Sequence, residues 1–161
     1  MQPRLIFISG PNGAGKSTYT RTVAMTENVL VIDPDKLAAD GLSPIAAGKA
    51  AAKMARLFLE TGVSFIREST LTSHFDFSLM KEAKRRGYQL ELIYIGLDSP
   101  ELACARVASR AARGGHWVPC EDVIRRYARS LKNLPRAIEL ADKVIILDNS
   151  AQEYQVVQRI K

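Results

Sequence analysis

Gly10-Pro11-Asn12-Gly13-Ala14-Gly15-Lys16-Ser17 spells GxxxxGK[ST] in full, and residues of those types at that spacing can hold a phosphate. In such a loop, successive backbone N–H groups and the free N–H groups of a following helix converge on one point. Aligned peptide dipoles favour negative charge there. Lys16 would reach the β- and γ-phosphates as a point charge, the Ser17 hydroxyl would complete the coordination of a Mg²⁺ ion, and Thr18 extends the nucleotide contacts. The chain has no Asn-Lys-x-Asp string for guanine, so the expected ligand is ATP with Mg²⁺.

A nucleotide site alone leaves open where the γ-phosphate goes, and three further groups of residues bear on that. Asp33-Pro34-Asp35 places two carboxylates together. Asp35 is the candidate that orients and deprotonates an acceptor hydroxyl, with an N-cap for the residues after Pro34 as the structural alternative; Asp33 reads as the structural member of the pair. Glu68-Ser69-Thr70 offers polar groups that would hydrogen-bond an acceptor or a metal-bound water, or form a strand-end turn. Arg106, Arg110 and Arg113 recur at helical spacing. Arg110 and Arg113, nearest the Gly114-Gly115 break, would stabilise charge on a transferring phosphoryl group, and Arg106 would pack on the nucleotide base. A solvated arginine face is the alternative. His116 reads as a loop residue, and Trp117 as an anchor for that loop.

The elements that must position these groups can be read from apolar periodicity. Leu5-Ile6-Phe7-Ile8, Val29-Leu30-Val31-Ile32, Val63-Ser64-Phe65-Ile66, Leu90 to Ile95 and Lys143 to Leu147 read as five strands alternating with helices. Short continuous apolar runs are what a parallel sheet covered on both faces requires. Ser43-Pro44 and Ser99-Pro100 each supply a cap and a first-turn proline. Ile124, Tyr127, Leu131 and Leu134 form the expected apolar stripe of a late helix, and Glu153 to Ile160 reads as a short closing helix. The expected architecture is a single three-layer α/β domain with a five-stranded parallel sheet and a small helical lid over about 106–120. Ligands of such folds bind at the C-terminal ends of the strands, where the phosphate loop, Asp33, Asp35 and Glu68 would meet.

The chain has 161 residues, 47% hydrophobic and 25% charged, which suits one soluble domain. No apolar run is long enough to span a membrane and the N-terminus runs directly into the first strand, so a cytoplasmic protein is expected. Cys104 and Cys120 share no metal-ligand spacing with each other or with His74 and His116, and neither a disulfide nor zinc is expected. Net charge is +6, concentrated between Arg106 and Arg136, where eight cations face Glu121 and Asp122. That basicity suits a polyphosphate under a lid. A nucleotide-gated nucleic-acid or regulatory binding protein is the weaker reading, because no aromatic-rich strand pair or recognition helix accompanies the arginines.

The phosphate loop, Ile32-Asp33-Pro34-Asp35, Glu68-Ser69-Thr70-Leu71, Arg113 to Pro119, Arg125-Arg126-Tyr127 and Ser130 to Leu134 together resemble the zeta toxin family over nearly the whole chain. The resemblance implies a P-loop kinase fold and phosphoryl transfer from ATP to a hydroxyl of a UDP-activated amino sugar. It implies Lys16 as the phosphate-binding lysine, Asp35 as the base, Glu68 and Thr70 as substrate-side groups, and Arg110 with Arg113 as lid arginines. It also implies a protein antitoxin as a candidate partner. The chain departs from the family where Ala50-Ala51-Ala52 stands in place of a substrate-binding glutamate. The loop between lid arginines is also shorter, so His116 could occupy the position of the second one. Kinase chemistry on another small metabolite remains the alternative acceptor assignment.

Overall fold

The computed structural model describes all residues, Met1–Lys161. Apolar side chains alternate between two faces along β1 (Arg4–Ser9), with Leu5 and Phe7 on one side and Ile6 and Ile8 on the other, so this strand must be covered twice. It sits mid-sheet, hydrogen-bonded in parallel to β3 (Phe65–Ser69) and β4 (Gln89–Gly96). With β2 (Leu30–Ile32), β5 (Lys143–Asp148) and β6 (Gln155–Ile160), the strand order is β2-β3-β1-β4-β5-β6.

The sheet therefore has six strands where sequence reading expects five. The correction lies at Glu153 to Ile160, which forms no helix. Val156 and Val157 are β-branched, a turn through Asn149 and Gln152 reverses the chain, and β6 pairs antiparallel with β5.

Helices α1 (Lys16–Glu27), α2 (Pro34–Ala39), α3 (Pro44–Thr61), α4 (His74–Arg85), α5 (Pro100–Ala112) and α6 (Cys120–Leu140) complete the layers. Ser43 and Ser99 cap α3 and α5 by accepting from Ala46 N and Leu102 N, each with proline in the first turn. Alanines at every fourth position, Ala47, Ala51 and Ala55, let α3 lie close on the core. On α6 the buried positions are Val123, Ser130 and Ala137, while Ile124 and Leu131 of the expected stripe are 44% and 45% exposed. Small residues spaced seven apart bring α6 close enough for the Ser130 and Tyr94 hydroxyls to hydrogen-bond at 2.8 Å.

A second correction concerns the cysteines, which form a Cys104–Cys120 disulfide. The α5–α6 hairpin brings their Cα atoms to 5.3 Å, a proximity that a separation of sixteen residues does not reveal. No helix is long and apolar enough to cross a membrane.

Candidate functional site

The phosphate loop runs from the end of β1 into α1, as its sequence requires. Gly15, the N-cap of α1, has φ of 90°. A Cβ there would lie 2.6 Å from Asn149 Nδ2 and 2.9 Å from the Tyr154 hydroxyl, so only glycine fits. Those two neighbours buttress the loop from the β5–β6 turn: Asn149 donates to Ala14 O at 2.9 Å and the Tyr154 hydroxyl donates to Gly15 O at 2.7 Å. Lys16 Nζ donates to the Gly10 and Pro11 carbonyls at 2.9 Å each, and burial holds its pKa below the usual lysine range against the pull of Glu68 and Asp35. The loop's own carbonyls thus hold the ammonium inside the loop.

Beside the loop lies a cavity of about 430 Å³ whose walls include Asn12, Gly13, Gly15, Lys16, Ser17 and Thr18. Its far wall is α5, which contributes Arg106, Arg110 and Arg113. Arg110 and Arg113, expected as lid arginines, and Arg106, expected to pack on the nucleotide base, therefore line one cavity with the phosphate loop. Arg106 donates to Ser150 O at 2.8 Å, an anchor to the β5–β6 turn. Arg113 folds back on its own helix, its Nε reaching Ser109 O at 3.3 Å, and Arg110 makes no hydrogen bond or ion pair to a protein group. His116 and Trp117 are exposed and line none of these walls.

A second cleft of about 240 Å³ opens at the ends of β2 and β3. Asn12, Lys16, Asp35 and Glu68 line both cavities, so the two share a wall. Ser17 Oγ donates to Glu68 Oε1 at 2.7 Å across that wall. Thr70 lines the second cleft and its hydroxyl meets that of Thr72 at 2.9 Å. Asp33, not Asp35, is the N-cap of α2: its side chain accepts from Asp35 N at 3.0 Å. The cap leaves the Asp35 carboxylate exposed at the cleft. Burial, then the nearby charges of Glu68 and Asp35, push Asp33 up to about 6.

Sequence reading misses the scaffold of this cleft. Arg67, which is 8% exposed, sets its Nη2 3.5 Å from Asp76 Oδ1 and lies over the Phe75 ring. Asp76 accepts from the Ser69 hydroxyl, which in turn accepts from Leu71 N at 2.8 Å. Leu71 has φ of 60°, a conformation unusual for leucine, and Asn133 donates to its carbonyl at 2.9 Å. Burial raises the Asp76 pKa, and the Arg67 guanidinium opposes that rise. A charged residue following the apolar pair in Phe65-Ile66-Arg67 is the available signal. Asn149 and Tyr154 give none, lying far along the chain from the loop they brace.

The family model described as Zeta toxin matches residues 42–156. The chain belongs to the zeta toxin family. The match begins after the phosphate loop and Asp35, so those residues stand on their own motif and placement. A relative in Haemophilus influenzae, described as an uncharacterized protein, is 34% identical over 131 residues, covering 78% of this chain and 92% of the relative.

Among solved structures, a chain of the PezAT chromosomal toxin–antitoxin system of Streptococcus pneumoniae superposes with a TM-score of 0.74 at 17% identity. It covers 98% of this chain and 72% of that one. A chain described as a kinase candidate from Chloroflexus aurantiacus gives 0.68 at 21%, covering 93% and 90%. The AvrRxo1-ORF1:ORF2 complex with ATP gives 0.71 at 16%, covering 99% and 58%. At these identities the likeness is one of fold: an α/β domain with a six-stranded, mostly parallel sheet.

Proposed function

We propose that the protein is an ATP-dependent phosphotransferase that moves the γ-phosphoryl group of ATP to a hydroxyl of a small molecule. The observation that carries this reading is the wall shared by the two cavities, where Lys16, Asp35 and Glu68 face both sides. A donor phosphate on the loop and an acceptor hydroxyl at Asp35 would lie adjacent, and such positioning is most of what phosphoryl transfer demands. In the transfer, the bond from the γ-phosphorus to the β–γ bridging oxygen breaks and a bond to the acceptor oxygen forms. ADP leaves, and Asp35 takes the hydroxyl proton.

Lys16 would exchange its loop carbonyls for the β- and γ-phosphates. Arg110, without a protein partner, and Arg113, with only its own helix to bond, would turn to the equatorial oxygens of the transferring group. Ser17 and Glu68, hard oxygen donors 2.7 Å apart, fit a Mg²⁺ ion, which when bound would neutralise charge between the β- and γ-phosphates. Arg106 and Thr18 would complete the nucleotide contacts, and Thr70 the acceptor contacts. The likeness to a chain of the PezAT toxin–antitoxin system supports a protein antitoxin as a partner, and the family supports testing a UDP-activated amino sugar as acceptor.

The test is ³¹P NMR of Mg-ATP mixed with a metabolite panel that includes UDP-N-acetylglucosamine. An acceptor-dependent phosphoester signal is expected. Asp35→Ala and Lys16→Ala should each slow its appearance by about a hundredfold or more. A panel with no acceptor-dependent product, or a product formed equally fast by Asp35→Ala, would overturn the reading.

A further inference from the structure

The polar cleft that holds Asp35 and Thr70 constrains the acceptor more closely than the family does. Its volume of about 240 Å³ falls below the roughly 300 Å³ at which pockets for drug-sized ligands begin, and the part of the acceptor seated there is of sugar size. Its lining holds no hydrophobic residue. A ligand seated there meets polar groups along the whole cleft wall, which favours a polyhydroxylated compound.

The charges around the cleft are mostly spoken for. Asp76 is held by Arg67 and Ser69, Glu68 accepts from Ser17, and Asp33 caps α2. Lys16 is committed to the loop. Two groups remain. One is the exposed carboxylate of Asp35. The other is Arg126, half-buried on α6, lining the cleft and making no hydrogen bond or ion pair. Its neighbour Arg125, by contrast, pairs with Asp122 at 2.8 Å. A guanidinium with free donors in a polar cleft is matched in geometry and charge by a carboxylate or a phosphate monoester.

We infer that the acceptor is a small polyhydroxylated anion, bound with its carboxylate or phosphate monoester on Arg126 and a hydroxyl at Asp35. The inference rests on the phosphotransferase reading and narrows its substrate class. The chemistry is unchanged: the hydroxyl oxygen takes the phosphoryl group, its proton goes to Asp35, and the acceptor's anionic group is not altered.

The experiment uses the full chain, Arg126→Gln, Arg126→Lys and, as a control on general charge, Arg129→Gln. Arg129 lies outside the cleft, in the adjoining groove. Each is given Mg-ATP with matched alditols, aldonates and alditol monophosphates, and separately with UDP-N-acetylglucosamine, with transfer followed by ³¹P NMR. The wild-type chain should favour one anionic set over the neutral one by about tenfold or more, and which set responds separates carboxylate from phosphate. Arg126→Gln should lose about ten- to a hundredfold in kcat/KM on that set alone. Arg126→Lys should recover part of it, and Arg129→Gln should behave as wild type. Equal transfer to neutral polyols, or transfer to nucleotide sugars only, overturns the inference while leaving the kinase reading intact.

If no member of the panel turns over, thermal unfolding decides. With a non-hydrolysable ATP analogue and Mg²⁺ filling the phosphate loop, aldonate or alditol phosphate should raise the Tm of wild type and not of Arg126→Gln. Such a shift without any transfer removes the phosphotransferase reading and keeps the anion site. No shift removes the anion site.

Discussion

Asp33 carries two burdens that one substitution can separate. It must cap α2, and it does so beside Glu68 and Asp35 with its carboxyl pushed up to about 6 from an ordinary 3.8. Between those two values the unfolded chain ionises before the folded one, so the unfolded state binds fewer protons and stability falls as pH rises. The full shift corresponds to about 3 kcal/mol at neutral pH, which partial exposure reduces to about 1 to 2 kcal/mol. An asparagine side chain at this position would still accept from Asp35 N, because asparagine caps as well as aspartate. Asp33→Asn is therefore expected to stabilise the protein by about 1 kcal/mol at pH 7, with the gain gone below about pH 4. Urea unfolding at a series of pH values checks it, and a gain that persists at low pH contradicts the account.

Among the elements, the β5–β6 unit has a role that its position in the chain hides. It closes the sheet edge and braces the phosphate loop through Asn149, Tyr154 and the Ser150 carbonyl that anchors Arg106. Tyr154→Phe deletes the hydrogen bond to Gly15 O and keeps the ring's edge contact with Tyr19. Nucleotide affinity should fall by roughly three- to tenfold, the equivalent of one neutral hydrogen bond. Titration calorimetry with the Mg-loaded ATP analogue measures the loss, and hydrogen exchange at Gly15 and Lys16 should quicken alongside it.

This unit is also where the sequence is least legible. The five parallel strands declare themselves because burial on both faces demands continuous apolar runs. In β6 the alternating demand is absent: Gln155 to Arg159 is exposed throughout, so neither a strand nor a helix pattern is imprinted. The α6 face misleads for a related reason. Its contact with the sheet uses Ser130 and Ala137 for closeness, and small residues carry little hydrophobic signal. The phosphate loop, Asp35, Glu68 and the α5 arginines, which the structure brings to adjoining cavities, are legible because the chemistry proposed for them would need particular residue types at fixed offsets. Arg67, Asp76 and Arg126 are not, since their meaning depends on which elements fold together.

For the molecule as a whole, two apolar layers flank the sheet, and the disulfide ties α5 to the start of α6 on one side of it. Closing a loop of this length restricts the unfolded chain, so reduction or Cys120→Ser should cost about 3 kcal/mol and lower Tm by roughly 6 to 12 °C. Calorimetry with and without a dithiol reductant reads this directly, and equal Tm values would contradict it.

The same bond closes a covalent ring that contains Arg106, Arg110 and Arg113 together with the exposed stretch from Gly114 to Trp117. A protease cutting after Arg113 would open that ring without dividing the molecule. The nicked protein should migrate as one species until a thiol is added, and then part into fragments 1–113 and 114–161. Trimming at this exposed loop would thus leave α5, its arginines and α6 covalently joined.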